Sequence, residues 1–235
     1  MLTRRLALGM FAALALVSCA PAEPPSAPPA PAAAPPPQER TVSDRQLLQA
    51  ASSGDPGEVR AALAAGANVE ARDEHRRTPL LLAALGDHVD AARELVRAGA
   101  DPDAQDDRRD SAFLVTGVTG SVKMLEALLP ADPDFSLTNR YGGTALIPAG
   151  ERGHVDDVRA AVRTGIDVNH VNDLGWTALL EAVVLGDGGL RYQQVVQLLL
   201  DAGADPTIPD RDGVTALDHA DREGHPELAR ILRSR

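Results

Sequence analysis

Histidine and glutamate are the residues of this chain that could support catalysis or metal binding, and their spacing decides whether they can act together. His88, His154 and His225 recur at equivalent places in a repeating pattern, each where the second helix of a unit is expected to begin. Stacked helical units lie roughly 10 Å apart, so equivalent side chains are too distant to share one metal ion. We therefore predict no metal site and interpret these histidines as structural turn residues.

Motifs for nucleophilic, phosphate-binding or metal-assisted catalysis are absent from the sequence. It contains no Gly-x-Ser-x-Gly turn, no phosphate-binding glycine loop and no His-Glu-x-x-His helix. The acidic loop at 101–110 lacks the ligand order of a calcium loop. Glu181, with a nearby histidine, could act as a hydrolase base, although a single glutamate is more typical of a solvated surface acid. We predict a non-catalytic protein with no cofactor and no small-molecule substrate, and keep an envelope hydrolase as the minor alternative.

Cys19 is the only cysteine and follows a segment with the pattern of an export signal. Arg4 and Arg5 precede an apolar run at 6–17, which is shorter than the ~20 residues that a membrane-spanning helix needs. Leu16-Val17-Ser18-Cys19 resembles the bacterial lipobox, in which the cysteine is acylated and becomes the new N-terminus. We predict a signal peptide at 1–18 and a palmitate-type lipid anchor at Cys19. Cleavage beyond Cys19, which would leave a soluble protein, is the alternative.

The segment at 19–41 is rich in proline and alanine. Proline fixes φ and lacks an N–H donor, so we predict an extended linker here and a folded domain at 42–235. Ala20 stands where an aspartate would, by resemblance to Gram-negative lipoproteins, favour the inner membrane. We therefore expect a location in the bacterial cell envelope, lipid-anchored at the outer membrane and facing the periplasm.

The folded part is built from a 33-residue repeat, once lengthened by five residues. Three sets of positions keep the same register. Small residues stand at Ala50, Ala83, Thr116, Ala149, Ala182 and Ala220; glycines stand at Gly54, Gly120, Gly153, Gly186 and Gly224, and again at Gly66, Gly99, Gly165 and Gly203. Between them, apolar residues follow the i, i+3, i+4 spacing of a helix face. Each unit is predicted to be helix, turn, helix, loop.

The repeat positions have physical reasons. Small residues allow neighbouring helices to approach closely, and glycines suit left-handed turns and helix ends. A threonine or serine at the start of each unit is placed to cap the first helix through its hydroxyl.

At these residues the chain resembles the ankyrin repeat family, whose units end in Gly-Ala-Asp, as in Gly99-Ala100-Asp101 and Gly203-Ala204-Asp205. The resemblance covers about 42–235 and implies an all-α solenoid of six helix-turn-helix units with projecting hairpin loops. It also implies that five residues close the hairpins: Asp73, Asp106, Asn139, Asn172 and Asp210. The third unit is the most divergent, and Pro148 should kink or shorten the first helix of unit four.

Ankyrin stacks, as the resemblance implies, bind protein partners with their hairpin tips and the first-helix face on the concave side. Arg, Tyr and Trp most often supply interface energy, and the only Trp lies at a variable tip position. Tyr192 belongs to the five-residue insertion, which is either a binding feature or a tolerated loop extension. We predict partner contacts from Arg77, Arg109, Arg140, Tyr141, Trp176, Glu181, Tyr192 and Arg211; packing of Trp176 on its neighbouring hairpin is the alternative.

The formal net charge of −11 disfavours nucleic acid as a partner, because a polyanion is repelled at long range. The charge suits a basic partner surface or simply solubility. We predict a protein-protein interaction module held at the cell envelope, with the membrane reached only through the N-terminal lipid. An inhibitor or immunity protein that neutralises an envelope-acting toxin or enzyme is the alternative.

Overall fold

A computed structural model describes residues 37–235, with side chains from residue 41 onward. Within that range the regular structure is helical and includes no strand. The helices are α1 (Pro37–Ser53), α2 (Pro56–Ala64), α3 (Pro79–Leu85), α4 (Val89–Arg97), α5 (Leu114–Thr119), α6 (Val122–Leu128), α7 (Leu146–Glu151), α8 (Val155–Ala161), α9 (Ala178–Val184), α10 (Leu190–Asp201), α11 (Ala216–Arg222) and α12 (Pro226–Arg233), with a 3-10 turn at Leu129–Ala131. In residues 37–235, no helix combines the length and apolar character that crossing a bilayer requires.

The helices form six antiparallel pairs stacked in chain order, as the repeat predicts. Each first helix packs on the first helix of the next unit, and each second helix on the next second helix. The small-residue positions are all buried, with at most 1% exposed at any of the six. Gly117 on α5 and Gly150 on α7 continue this close packing, since a Cβ at either would overlap a backbone oxygen of the next unit. The predicted all-α solenoid of six units is confirmed.

Hydroxyl groups cap most of the first helices. The side chains of Thr78, Thr177 and Thr215 each accept a hydrogen bond from the backbone N–H three residues later, and Ser111 does the same. Thr144 is the exception: the Ile147 N–H donates to the Thr144 carbonyl, and the Thr144 hydroxyl is buried without a partner.

Pro148 is the third residue of α7. Helix α7 has six residues, against seven in α3 and α9, but α5 also has six and contains no proline. The length of α7 therefore does not isolate an effect of Pro148, and the kink or shortening stays a prediction.

The hairpins between units are closed by the residues expected from the family pattern. One side-chain oxygen of each accepts two backbone N–H donors of its own loop, at 2.8 to 3.1 Å. Bonds also join successive hairpins: the Asp107 N–H donates to the His75 carbonyl and the Asp173 N–H to the Tyr141 carbonyl. The hairpins therefore form one connected surface.

Two breaks in the glycine pattern are filled by aspartate. Asp87 and Asp132 adopt positive φ, 53° and 54°, where the other units mostly have glycine. Aspartate tolerates this conformation better than most residues because its short side chain can bond locally. The divergent third unit thus keeps the backbone path of its neighbours.

The first helix begins earlier than predicted. Helix α1 starts at Pro37, so it includes 37–41, which the sequence assigned to the linker. Proline is well tolerated in the first turn of a helix, and the following Gln, Glu and Arg are good helix formers. The predicted signal peptide, Cys19 lipidation and most of the linker lie outside the described residues.

Candidate binding groove

A groove of about 230 Å³ lies between the hairpins that precede α7 and α9. Its walls are hairpin residues and its floor is the exposed face of the two first helices. The lining comprises Asn139, Tyr141, Gly143, Ile147, Pro148, Glu151, Asn172, Leu174, Trp176, Glu181 and Leu185. Three predicted contact residues, Tyr141, Trp176 and Glu181, therefore meet in one place.

The floor of the groove is acidic. Glu181 on α9 is only 5% exposed, which corrects its interpretation as a solvated surface acid. Its Oε1 accepts a hydrogen bond from Asn172 Nδ2 at 3.0 Å. The pKa of Glu181 is raised to about 7: burial is the largest cause, the negative charge of Glu151 adds to it, and the Asn172 hydrogen bond opposes it. Near neutral pH, Glu181 is thus held close to its midpoint of ionisation.

The rim is apolar and partly open to solvent. Tyr141 and Leu174 are each 53% exposed and Leu185 is 49% exposed. Trp176 is half-buried: it packs against the core cluster and also lines the groove. Arg140 lies over the Tyr141 ring, 4.4 Å from its centre, and donates to the Tyr141 hydroxyl.

The remaining predicted arginines lie on the hairpins outside the groove lining. Arg77 donates to Asp73 of its own hairpin at 2.8 Å. Arg109 donates to the Thr138 hydroxyl of the next hairpin, and Arg211 donates to the Asp173 carbonyl. These contacts position the arginines along the hairpin surface, and their role toward a partner stays a prediction.

Tyr192 requires a correction, since it is 4% exposed, belongs to a buried core cluster and does not line the groove. His88 and His154 each place Nε2 about 3 Å from a backbone carbonyl of the preceding unit, those of Ser52 and Val118. The Tyr192 hydroxyl donates to the corresponding carbonyl, that of Glu151, at 3.1 Å. Tyr192 lies 33 residues before His225, so from within α10 it takes the place that a turn histidine holds in other units. The insertion therefore precedes Tyr192 and adds residues to the start of α10.

Glu151 and Leu185 are groove residues that the sequence did not single out. By sequence, Leu174 is a variable hairpin-tip residue, and Pro148 was singled out only for its effect on the helix. Glu151 takes the helix position held by exposed apolar residues, Leu85 and Val118, in the two preceding units. An acidic residue at a repeat position that is otherwise apolar was the one feature of the sequence that could have indicated Glu151 as a groove residue.

Within the described residues the groove lining includes no histidine. His170 Nε2 lies 2.6 Å from the Gly142 carbonyl, and His219 pairs with Asp210. Across residues 37–235, no three His, Cys, Asp or Glu side chains converge as metal ligands would. A second groove, about 370 Å³, lies beside α1 and α2, and its lining of Gln46, Gln49, Glu58 and two alanines offers no aromatic anchor.

A stack of paired helices with an open groove across its hairpins defines the class of helical-repeat binding scaffolds. Family models describe two parts of this chain: ankyrin repeats in three copies at 112–210, and a single ankyrin repeat at 75–107. A solved ankyrin repeat domain from Acinetobacter baumannii is 47% identical, with a TM-score of 0.77, covering 80% of this chain and 96% of that one. A second solved ankyrin repeat protein is 39% identical, with a TM-score of 0.78 and coverage of 81% and 97%.

The chain belongs to the ankyrin repeat family. It is also similar to the ankyrin repeat domain of Bcl-3, a member of the IkappaB protein family, at 29% identity and a TM-score of 0.72, covering 80% of this chain and 85% of that one. A 52-residue segment is 48% identical to the putative ankyrin repeat protein YahD of Escherichia coli K12, which is 22% of this chain and 26% of that protein. Ankyrin repeats indicate a protein-protein interaction module, and the fold is generally a non-catalytic scaffold.

Proposed function

We propose that this protein is a non-catalytic binding module held at the cell envelope, and that it binds a protein partner through the concave surface of its hairpins and first helices. The groove between the hairpins before α7 and α9 carries this proposal. It combines an exposed tyrosine, a half-buried tryptophan and exposed leucines on a backbone that hydrogen bonds hold in place. Aromatic anchors on a rigid frame bind with little loss of conformational entropy.

The envelope location rests on the sequence of the N-terminal segment. Acyl chains on Cys19 hold the protein at the outer membrane facing the periplasm, since each buried methylene contributes about 0.8 kcal/mol. A proline-rich tether then allows the repeat domain to meet its partner away from the bilayer surface. The net charge of −11 disfavours nucleic acid and favours a partner with a basic surface.

Affinity capture from envelope extracts tests the binding surface. The bait is the full-length chain, compared with Tyr141→Ala and Leu174→Ala. Leu129→Ala is the matched control, because Leu129 is also an exposed apolar residue, 40% exposed, but lies on the 3-10 turn after α6. We expect a specific partner that the control retains and that both groove variants lose. Equal recovery of every captured protein by all four baits would contradict the proposed surface.

A further inference from the structure

The groove between α7 and α9 contains two carboxylates and no compensating cation. Among residues 41–235, neither Glu151 nor Glu181 has an ion-pair partner; the nearby arginine, Arg140, lies over Tyr141 and pairs with Asp110 at 3.8 Å. Only 5% of Glu181 is exposed, yet its side chain lines the groove. Buried carboxylates are normally paired, because removing a charge from water is costly. A cation supplied from outside would complete this site.

We propose, resting on the protein-binding function above, that this groove receives the long basic side chain of a lysine or arginine of the partner. The methylene stem of such a side chain packs on the apolar rim while its charged head reaches the carboxylates of Glu151 and Glu181. A side chain with an apolar stem and a cationic end matches both parts of the groove.

The shape and charge of the groove favour a basic side chain over an apolar one. Leu174, Leu185 and Trp176 provide an apolar wall, and the half-buried Trp176 ring also offers a surface that attracts cations. An apolar side chain would contact this wall but would cover the two carboxylates without replacing their water. The net negative charge of the chain additionally speeds the approach of a basic segment.

Ionisation of Glu181 gives the inference a second readout. A bound cation favours the carboxylate form, and the pKa of Glu181 in the free protein is raised to about 7. Binding of a basic side chain therefore strengthens as pH rises from about 5.5 to about 8. The helices packed against α9 carry other titratable or charged groups: Glu151 on α7; Arg191, Tyr192 and Asp201 on α10; and Asp218, His219, Asp221 and Arg222 on α11. His219 is paired with Asp210, and the Tyr192 hydroxyl donates to the Glu151 carbonyl.

Trp176 is the only tryptophan of the chain, so its fluorescence reports on this groove alone. The full-length protein, kept in detergent, is titrated with capped pentapeptides, glycine-alanine-X-alanine-glycine, in which X is arginine, lysine, norleucine or glutamate. We expect a saturable change with arginine or lysine, at millimolar affinity or tighter, and binding by norleucine that is at least roughly fivefold weaker. Affinity for the basic peptides is expected to be higher at about pH 8 than at about pH 5.5.

Two variants separate the charge of the groove from its shape. Glu181→Gln retains an acceptor for the Asn172 amide but removes the charge. We expect this variant to bind the basic peptides at least roughly fivefold more weakly and to lose the pH dependence of that binding. Glu151→Gln should weaken the binding of the basic peptides as well. Glu126→Gln, an exposed glutamate on α6, is the matched control and should leave binding unchanged. Thermal melts of each variant confirm that it is folded.

The result that overturns the inference is equal binding of norleucine and arginine, or no saturation by any basic peptide up to about 20 mM. A Glu181→Gln protein that binds like wild type overturns it as well. This outcome is distinct from failure of the proposed function. If partner capture responds to Tyr141→Ala but the peptides are indifferent to charge, the binding surface stands and the basic anchor is wrong.

Discussion

Asp157 is a carboxyl group within a layer of apolar side chains. It lies on α8 at a position where the neighbouring second helices place Met124 and Val195, both fully buried. Asp157 is 2% exposed, and its Oδ1 has no hydrogen-bond partner. Burial raises the pKa of Asp157 to about 7. The folded state therefore binds this proton more tightly than the unfolded state does.

Replacing Asp157 with valine should stabilise the protein, increasingly so at high pH. Since the pKa of Asp157 rises from 3.8 to about 7 on folding, its contribution to the free energy of unfolding falls as pH rises between these values and is lowest above pH 7. The cost of ionised Asp157 amounts to at most about 4 kcal/mol. Urea unfolding of Asp157→Val and wild type at pH 5 and pH 8 measures the effect.

The matched control for Asp157 is its neighbour Asp156, which is exposed and faces Arg159 at 3.8 Å. Asp156→Asn should change stability little, and equally at both pH values. A gain for Asp157→Val that does not grow with pH would contradict the assigned ionisation.

At the scale of the helices, units three and four pack with their backbones in close contact. Gly117 on α5 faces the Ala145 carbonyl, and a Cβ at position 117 would lie 1.9 Å from that oxygen. Pro148, on α7, belongs to the same contact, because a Cβ at position 117 would lie 3.1 Å from the Pro148 ring. The divergent sequence of the third unit therefore fits its neighbour.

Gly117→Ala should destabilise the protein by about 1–3 kcal/mol, although alanine is intrinsically the better helix former by about 1 kcal/mol. The overlap with backbone outweighs that preference, since a carbonyl cannot rotate away as a side chain can. Gly57→Ala on α2 is the comparison: its Cβ would meet the end of the Asp55 side chain at 3.1 Å, and little change is expected. The denaturant midpoints of both variants measure these changes in stability. A Gly117→Ala protein as stable as wild type would refute the close contact.

Tyr192 links unit five to unit four. Tyr192→Phe removes the hydrogen bond to the Glu151 carbonyl and should cost about 1 kcal/mol, whereas Tyr192→Ala should cost about 3–5 kcal/mol through the cavity it leaves. Because the bond is made to the backbone of Glu151, Tyr192→Phe should also weaken basic-peptide binding in the groove slightly. Equilibrium unfolding and the Trp176 titration measure the two effects, and full stability of Tyr192→Ala would exclude the role of Tyr192 in linking the two units.

At the scale of the whole molecule, the repeats are joined through shared core layers. One buried cluster extends from Leu47 to Leu128 and another from Phe113 to Leu232, and both draw residues from unit three. Stability in such a stack is a sum over units and their nearest-neighbour interfaces. The groove is thus carried by a continuous frame, which suits a module that presents a preformed binding surface.

The attachment to the envelope that we propose depends on Cys19. In cells fed labelled palmitate, the wild-type chain should incorporate label and sediment with the outer membrane, because several acyl chains make a durable anchor. Cys19→Ser should incorporate none, while Ser18→Ala, which keeps a small residue before the cysteine, should remain labelled. Absence of label from the wild-type protein would exclude the lipid anchor.

The sequence by itself determined the architecture of the repeat domain. The buried position of Ala149, the capping by Thr177 and the hairpin closure by Asn139 depend on neighbours within one unit or in the next one. Such local constraints recur every 33 residues, so the pattern exposes them without coordinates.

Only the tertiary structure decided which side chains form the groove. Glu151 and Glu181 come from different units, and Glu181 is buried because the hairpin with Asn172 and Trp176 covers it. Tyr192 lies in the segment that the sequence left open as a binding feature or a tolerated loop extension, and from α10 it donates to the Glu151 carbonyl. Burial and pKa depend on what the adjacent layer places over a side chain, and a residue's own position in the repeat does not contain that information.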